Sequence, residues 1–177
     1  MKKRKIVAAG LVLLILFNLL SACASIRFGA TLYNDKDVKA WLDEAFLKEN
    51  PISGASYHNE NYTGPHGNEP RSITYPDAPK TRVFIITDAE EYEKILPHSS
   101  IEVDFEKQMV ILYTFSVDSS RGFNLKSVKV DDGALTVQIK KEESSTPNVV
   151  DSSTPGQGWV MLTMKKTEIS EVKFEEI

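Results

Sequence analysis

Apolar positions along the chain fall into blocks of different period. Val38, Trp41, Leu42, Ala45 and Phe46 recur at i, i+3, i+4, i+7 and i+8, one face of an amphipathic helix that Asn34 or Asp35 can cap and Pro51 stops. Arg82–Thr87 (RVFIIT) is rich in β-branched residues and reads as a buried strand. Thr87 or Asp88 then caps a short helix through Leu96, with Ala89, Tyr92, Ile95 and Leu96 inward and Pro97 as its end. Met109–Val117 (MVILYTFSV) is apolar without alternation, the pattern of a central strand covered on both faces. Phe123, Leu125, Val128 and Val130 alternate with Asn124, Lys126 and Lys129, and Ser127 fits that alternation only loosely. Asp131-Asp132-Gly133 supplies turn chemistry before Ala134–Ile139 returns with period two, which predicts a hairpin. Trp159–Met164 is a further strand, and Glu171–Glu176 closes the chain with Val172 and Phe174 on one face.

Two stretches carry no period. Residues 52–80 hold Gly54, Gly64, Gly67, Pro65, Pro70, Pro76 and Pro79 among many Asn, Ser and Tyr, so no helix or long strand survives there. A loop of that length inside a domain is either functional or poorly ordered. Residues 142–158 form a second breaker-rich stretch. About six strands with sequence-local connections predict an α+β, mainly β fold: an antiparallel sheet forming a small sandwich or open barrel with one or two flanking helices. There is no βαβ rhythm and no repeat of fixed period.

The first residues change the picture. Lys2, Lys3, Arg4 and Lys5 precede an apolar run from Ile6 to Leu20, about fifteen residues, short of the ~20 that span a bilayer and suited to a signal-peptide core. The run ends in Leu20-Ser21-Ala22-Cys23, which resembles the lipobox of bacterial lipoproteins. That resemblance implies removal of residues 1–22, a diacylglycerol on the Cys23 sulfur, and attachment to the extracytoplasmic face of the cell membrane, with no other cofactor. The competing reading is a single-pass anchor with a chance cysteine; against it, Cys23 is the only cysteine of the chain. The non-periodic stretch that follows makes 23–34 a lipidated tether, 35–81 a helix plus long loop, and 82–177 the β-rich domain. Loss of the four leader cations leaves 17 basic residues against 25 acidic ones, net −8. Such a balance is repelled by phosphate backbones and argues against nucleic acid as a partner. It also assigns membrane contact to the anchor rather than to a basic face.

Candidate chemistry is sparse. His58 and His66 lie in the long loop with Glu60 and Glu69, which raises a surface metal site or a hydrolase, but at no recognisable ligand spacing. No Gly-x-Ser-x-Gly elbow occurs, and Asp131-Asp132 and Glu142-Glu143 sit in turns where both carboxylates stay solvated and ionised. Tyr57, Tyr62 and Tyr75 offer rigid amphipathic contact area of the kind used against proteins or carbohydrates, or else fold back to cover the sheet.

Residues 82–176 carry Asp104-Phe105 shortly before Met109-Val110-Ile111, a Gly-aromatic step at Gly122-Phe123, the hairpin Leu125–Ile139, a Pro-containing stretch and the closing strand Trp159–Met164. In this the chain resembles the C-terminal domain of the PrcB family, lipoprotein-type components associated with a surface protease complex. It departs from the family's Gly-Gly-Tyr at Ser120-Arg121-Gly122-Phe123 and from its Pro-Tyr at Gly158-Trp159. The resemblance implies a non-catalytic, protein-binding accessory module with a protein partner, such as a surface protease. A looser likeness to chagasin-type protease inhibitors would give Arg121-Gly122-Phe123 and Gly156-Gln157-Gly158-Trp159 the part of inhibitory loops. Because a hairpin domain projects function from loops on a rigid scaffold, the expected contact surface is the loops Ser119–Phe123 and Pro155–Trp159, through Arg121, Gly122, Phe123, Gly156, Gly158 and Trp159. Alternatives are a cell-wall carbohydrate-binding protein stacking sugars on Tyr57, Tyr62, Tyr75 and Trp159, and a hydrolase using the His58/His66 loop.

Overall fold

The structure, a computed structural model, describes residues 28–65, 67–118, 122–142 and 154–177. Two long strands organise it: β5 (Gln108–Val117) and β8 (Gly156–Lys165) pair antiparallel along their whole length, from Gln108↔Lys165 to Val117↔Gly156. On one face of the pair, Val110, Leu112, Trp159 and Met161 are buried with Val38, Leu42, Tyr92, Ile95 and Leu96, which belong to two short helices and their C-caps. On the other, Met109, Ile111, Val160, Leu162 and Met164 are buried with Val128, Leu135, Val137 and Ile139 of a second sheet. Each such aliphatic side chain contributes about 1.5–3 kcal/mol by leaving water. The unbroken apolar run in β5 follows from this, since both of its faces are internal.

The first sheet has the order β1-β8-β5-β4, with β1 at Thr31–Tyr33 and β4 at Thr81–Ile86. The second has the order β6-β7-β9, with β6 at Phe123–Asp131, β7 at Ala134–Lys141 and β9 at Glu171–Glu176. The two pack face to face as a sandwich rather than a barrel, and the helices form a third layer. The β6–β7 hairpin turns through Asp132 and Gly133, at φ 45° and 80°, the left-handed pair that suits a two-residue hairpin. A bulge between Leu125 and Ser127 explains the imperfect alternation there: it returns Val128 and Val130 to the core and turns the Ser127 hydroxyl to Gln138. One pairing departs from the antiparallel expectation: β9 runs parallel to β7, because β8 crosses to the first sheet between them.

The helix expected from Val38 to Phe46 is two. α1 (Asp35–Trp41) ends at Leu42, and Asp43 starts α2 (Glu44–Glu49) by accepting the Phe46 N–H at 2.9 Å. The break leaves Ala45 exposed and directs Phe46 and Leu47 to the core instead. α3 (Ala89–Ile95) is capped by Asp88, which accepts the Glu91 N–H, as its sequence predicts. Residues 31–33, expected in the tether, form β1, and Phe28 and Ala30 pack against the second core. The separation of 35–81 from 82–177 does not appear in the packing, since α1 and α2 cover the first sheet.

β1 covers β8 only from Met161 to Thr163. Beyond it, side chains take over the exposed edge. Asp35 accepts the Trp159 N–H at 2.7 Å, Lys39 approaches the Gln157 carbonyl at 3.4 Å, and Asn34 accepts the Phe123 N–H at 2.6 Å across to β6. Asn34 and Asp35, expected as helix caps, thus spend their side chains on tertiary ties. Burial raises the Asp35 carboxyl above its ordinary 3.8, against the Trp159 N–H and Lys39, which lower it.

Trp159 is fully buried, with ring centroids 6.0 Å from Phe46 and 6.3 Å from Phe84, and its indole N–H has no partner among the described residues. Trp159→Ala should cost about 3–5 kcal/mol in denaturant unfolding. Trp159→Phe should cost clearly less, because it also removes the unsatisfied donor. An unchanged midpoint for the alanine variant would show that the indole does not hold the layers together. Asp35→Asn keeps an oxygen for the Trp159 N–H and should be at least as stable as the parent at neutral pH, whereas Asp35→Ala should lose about 1–3 kcal/mol. With its folded pKa raised, the folded state retains the Asp35 proton above pH 3.8, so this group's contribution to stability falls as pH rises through the folded pKa. The parent's stability minus that of Asp35→Asn should show that decline, and a pH-independent difference would contradict it.

Candidate functional site

The long stretch 52–80 is neither a free loop nor disordered in its described part. It folds into a small hairpin, β2 (Ser56–His58) against β3 (Ser72–Thr74), with Tyr57 opposite Ile73. Main-chain groups fasten it to the body. Ser53 N–H donates to Pro79, Ser56 N–H to Pro155, the Ser116 hydroxyl to Gly54 and Arg82 Nε to Pro51, all at 2.8–3.1 Å. Gly54, at φ 79°, makes the turn that brings its carbonyl to Ser116. The amide of buried Asn59 ties the hairpin's tip, donating to Pro70 and accepting from the Asn61 N–H.

Between this hairpin, the ends of α1 and α2 and the start of β8 lies a cleft of about 510 Å³. Leu47, Pro51, Tyr57 and Ile73 give it an apolar lining, and Gly156 and Gln157 form its wall on the sheet side. Gln157 is held by bonds from its amide to the Asn50 carbonyl and the Thr114 hydroxyl, at 2.9 and 3.0 Å. The Tyr57 hydroxyl accepts the Ile52 N–H at 2.7 Å and donates to the Ile52 carbonyl at 3.3 Å; burial raises its pKa. Its ring meets Tyr75 edge to face at 5.2 Å, and Tyr75, 39% exposed, presents an aromatic surface at the mouth. Lys39, Lys48 and Glu60 give the cleft its charge, and His58 lines it beside them. Lys48 and Glu60 pair at 2.9 Å; the bond from Lys48 lowers the Glu60 pKa and that from Glu60 raises Lys48, so both stay ionised.

Of the described residues in the expected contact loops, Gly156 and Gln157 line this cleft, and a Cβ built at Gly156 meets nothing within 4 Å. Phe123 (4% exposed) and Trp159 are core residues, so neither presents a side chain to a partner; their apolar character reads as packing. Gly158 is buried, and a Cβ there would come within 2.8 Å of Val117, so this glycine serves strand packing. At Gly122 a Cβ would lie 2.9 Å from the Glu142 carboxylate. Arg121 lies outside the described residues, as do Cys23, His66 and Glu143. Phe115 pairs with Gly158 and meets Phe123 at 5.3 Å, so these two residues come together in the interior. Trp159, proposed as a sugar platform, is excluded from that role by its burial, while Tyr57 and Tyr75 line the cleft. What the sequence did not disclose is the part of Lys39 and Lys48, which come to the cleft from α1 and α2 beside Gln157 of β8.

Among the described residues no cluster of three or more His, Cys, Asp or Glu is arranged to hold a metal, and no helix is long and apolar enough to cross a membrane. His58 is exposed at the cleft beside the Lys48–Glu60 pair. Tyr57→Phe should leave the Ile52 N–H without its acceptor, cost about 1–2 kcal/mol and speed hydrogen exchange at Ile52. Unaltered exchange would show that the hydroxyl does not fasten the hairpin. No family model, curated protein or solved structure matches the chain.

Proposed function

We propose that the protein is a membrane-anchored extracytoplasmic lipoprotein whose folded body is a non-catalytic protein-binding module, and that the cleft beneath the β2–β3 hairpin is its contact surface. The observation that carries the binding part is the cleft itself: an aromatic pair, an apolar lining and a charged rim, held in place by a hairpin tied to the sheet through main-chain bonds. Few contiguous apolar groups with a small number of fixed polar ones is the composition of recognition pockets, and loops on a rigid scaffold are where recognition is placed. Glu60, kept ionised by Lys48, suits an ionic contact better than proton transfer. Support for the anchoring part comes from the leader and from Leu20-Ser21-Ala22-Cys23. The PrcB-like pattern in residues 82–176 favours a protein partner, such as a surface protease, over a glycan.

Crosslinking on intact cells tests this. Gly156→Trp fills the cleft from a position with open space, and Tyr75→Ala removes its exposed ring. Each should lower recovery of the crosslinked partner at least about tenfold, the equivalent of 1.4 kcal/mol, without shifting the melting temperature. Recovery equal to the parent's would reject the cleft, and a glycan as the only captured species would replace the protein-binding reading. Cys23→Ala should abolish lipid labelling and block removal of the leader; normal labelling would reject the anchor.

A further inference from the structure

The cleft wall and Phe28 lie at opposite ends of the sandwich. β8 runs from Gly156, in the cleft wall, to Lys165. At about 3.4 Å per residue its ten residues separate those ends by about 30 Å. Phe28, the first described residue, belongs to the Lys165 end: with Gly29 it lines a shallow hollow shared with Asp104, Glu106, Lys107 and Lys165. That end is rigidly joined. Lys166 donates its main-chain N–H to Lys107 at 2.7 Å and its ammonium to the Phe105 and Thr87 carbonyls at 2.9 and 3.3 Å.

Resting on the anchoring reading above, we propose that the end of the sandwich bearing Phe28, Lys107, Lys165 and Lys166 lies against the lipid headgroups of the anchoring membrane, so that the cleft opens on the far side, away from the bilayer. Only Ala24, Ser25, Ile26 and Arg27 stand between Cys23 and Phe28. Five residue steps reach roughly 17 Å at full stretch, about half the length of β8. A body held this closely at one end cannot invert to bring its cleft to the headgroups. Orientation here is set by reach rather than by charge, since Lys107, Lys165 and Lys166 share this end with Asp104, Glu106 and, beside the bond from the Ser170 N–H to Gly133, Asp131 and Asp132. The sequence suggested contact through the anchor alone; the short tether adds the protein surface next to it.

Labelling on vesicles decides the matter. Lipidation consumes the sulfur of the only cysteine, so a single thiol can be introduced into the full-length lipidated protein and labelled with a fluorophore. Lys165→Cys marks the anchor end and Asn61→Cys the cleft. In vesicles of phosphatidylethanolamine and phosphatidylglycerol carrying a nitroxide on a fraction of the headgroups, the label at 165 should be quenched at least severalfold more than the label at 61. A Gly/Ser spacer of about fifteen residues inserted after Ser25 should erase much of that difference by freeing the body to tumble. Equal quenching at the two positions, in protein that still floats with the vesicles, would overturn the orientation and leave the anchoring intact. Folded protein that carries no lipid and does not float would overturn both.

Discussion

Because β5 and β8 are apolar on both faces, no single layer can cover them, and the rest of the molecule is arranged around that constraint. The second sheet closes one side through Val128, Leu135, Val137 and Ile139, and the helices close the other through Val38, Leu42 and Tyr92. The N-terminal segment is therefore structural rather than a leash: without α1 and α2, Trp159 and Met161 would face water. The same requirement places Asn34 and Asp35 beside exposed strand edges, where they supply the acceptors that a missing neighbour strand would have provided. A carboxylate kept partly out of water for this purpose has a cost, seen in its raised pKa.

How much of this the residues disclosed depended on how local the cause was. The Asp132-Gly133 turn, the Asp88 cap and the two-sided burial of β5 are set by neighbours in sequence and were legible. β1 was not, because three residues hold no period and its pairing with β8 is set at the far end of the chain. The break at Leu42-Asp43 was hidden by a helical spacing that ran across it, although Asp43 is itself a good cap. Parallel pairing of β9 with β7 depends on β8 joining the other sheet, which no local pattern encodes.

Phe123 and Trp159 were misread as exposed for a related reason. Gly-aromatic steps such as Gly122-Phe123 and Gly158-Trp159 resemble exposed recognition loops, but a glycine beside a large ring serves equally where two layers come close together. Val117 over Gly158 and the Phe46–Trp159–Phe84 cluster are that case. Tyr57 and Tyr75, expected either to offer a recognition surface or to fold back over the sheet, pair with one another in a hairpin fixed by main-chain bonds. Such fastening leaves little trace in side-chain pattern, since carbonyls of Pro51, Gly54, Pro79 and Pro155 do much of the work.

The pairing of β1 with β8 has a bearing on how the molecule assembles. Thr31, near the start of the described chain, is the register partner of Thr163, near its end. A nascent chain presents the first strand long before its neighbour exists, and closing so wide a loop is entropically slow. Until β8 arrives, β5 lacks its principal partner and Leu32 lacks its cover. Completion of the first sheet therefore waits on β8, the shared partner of β1 and β5.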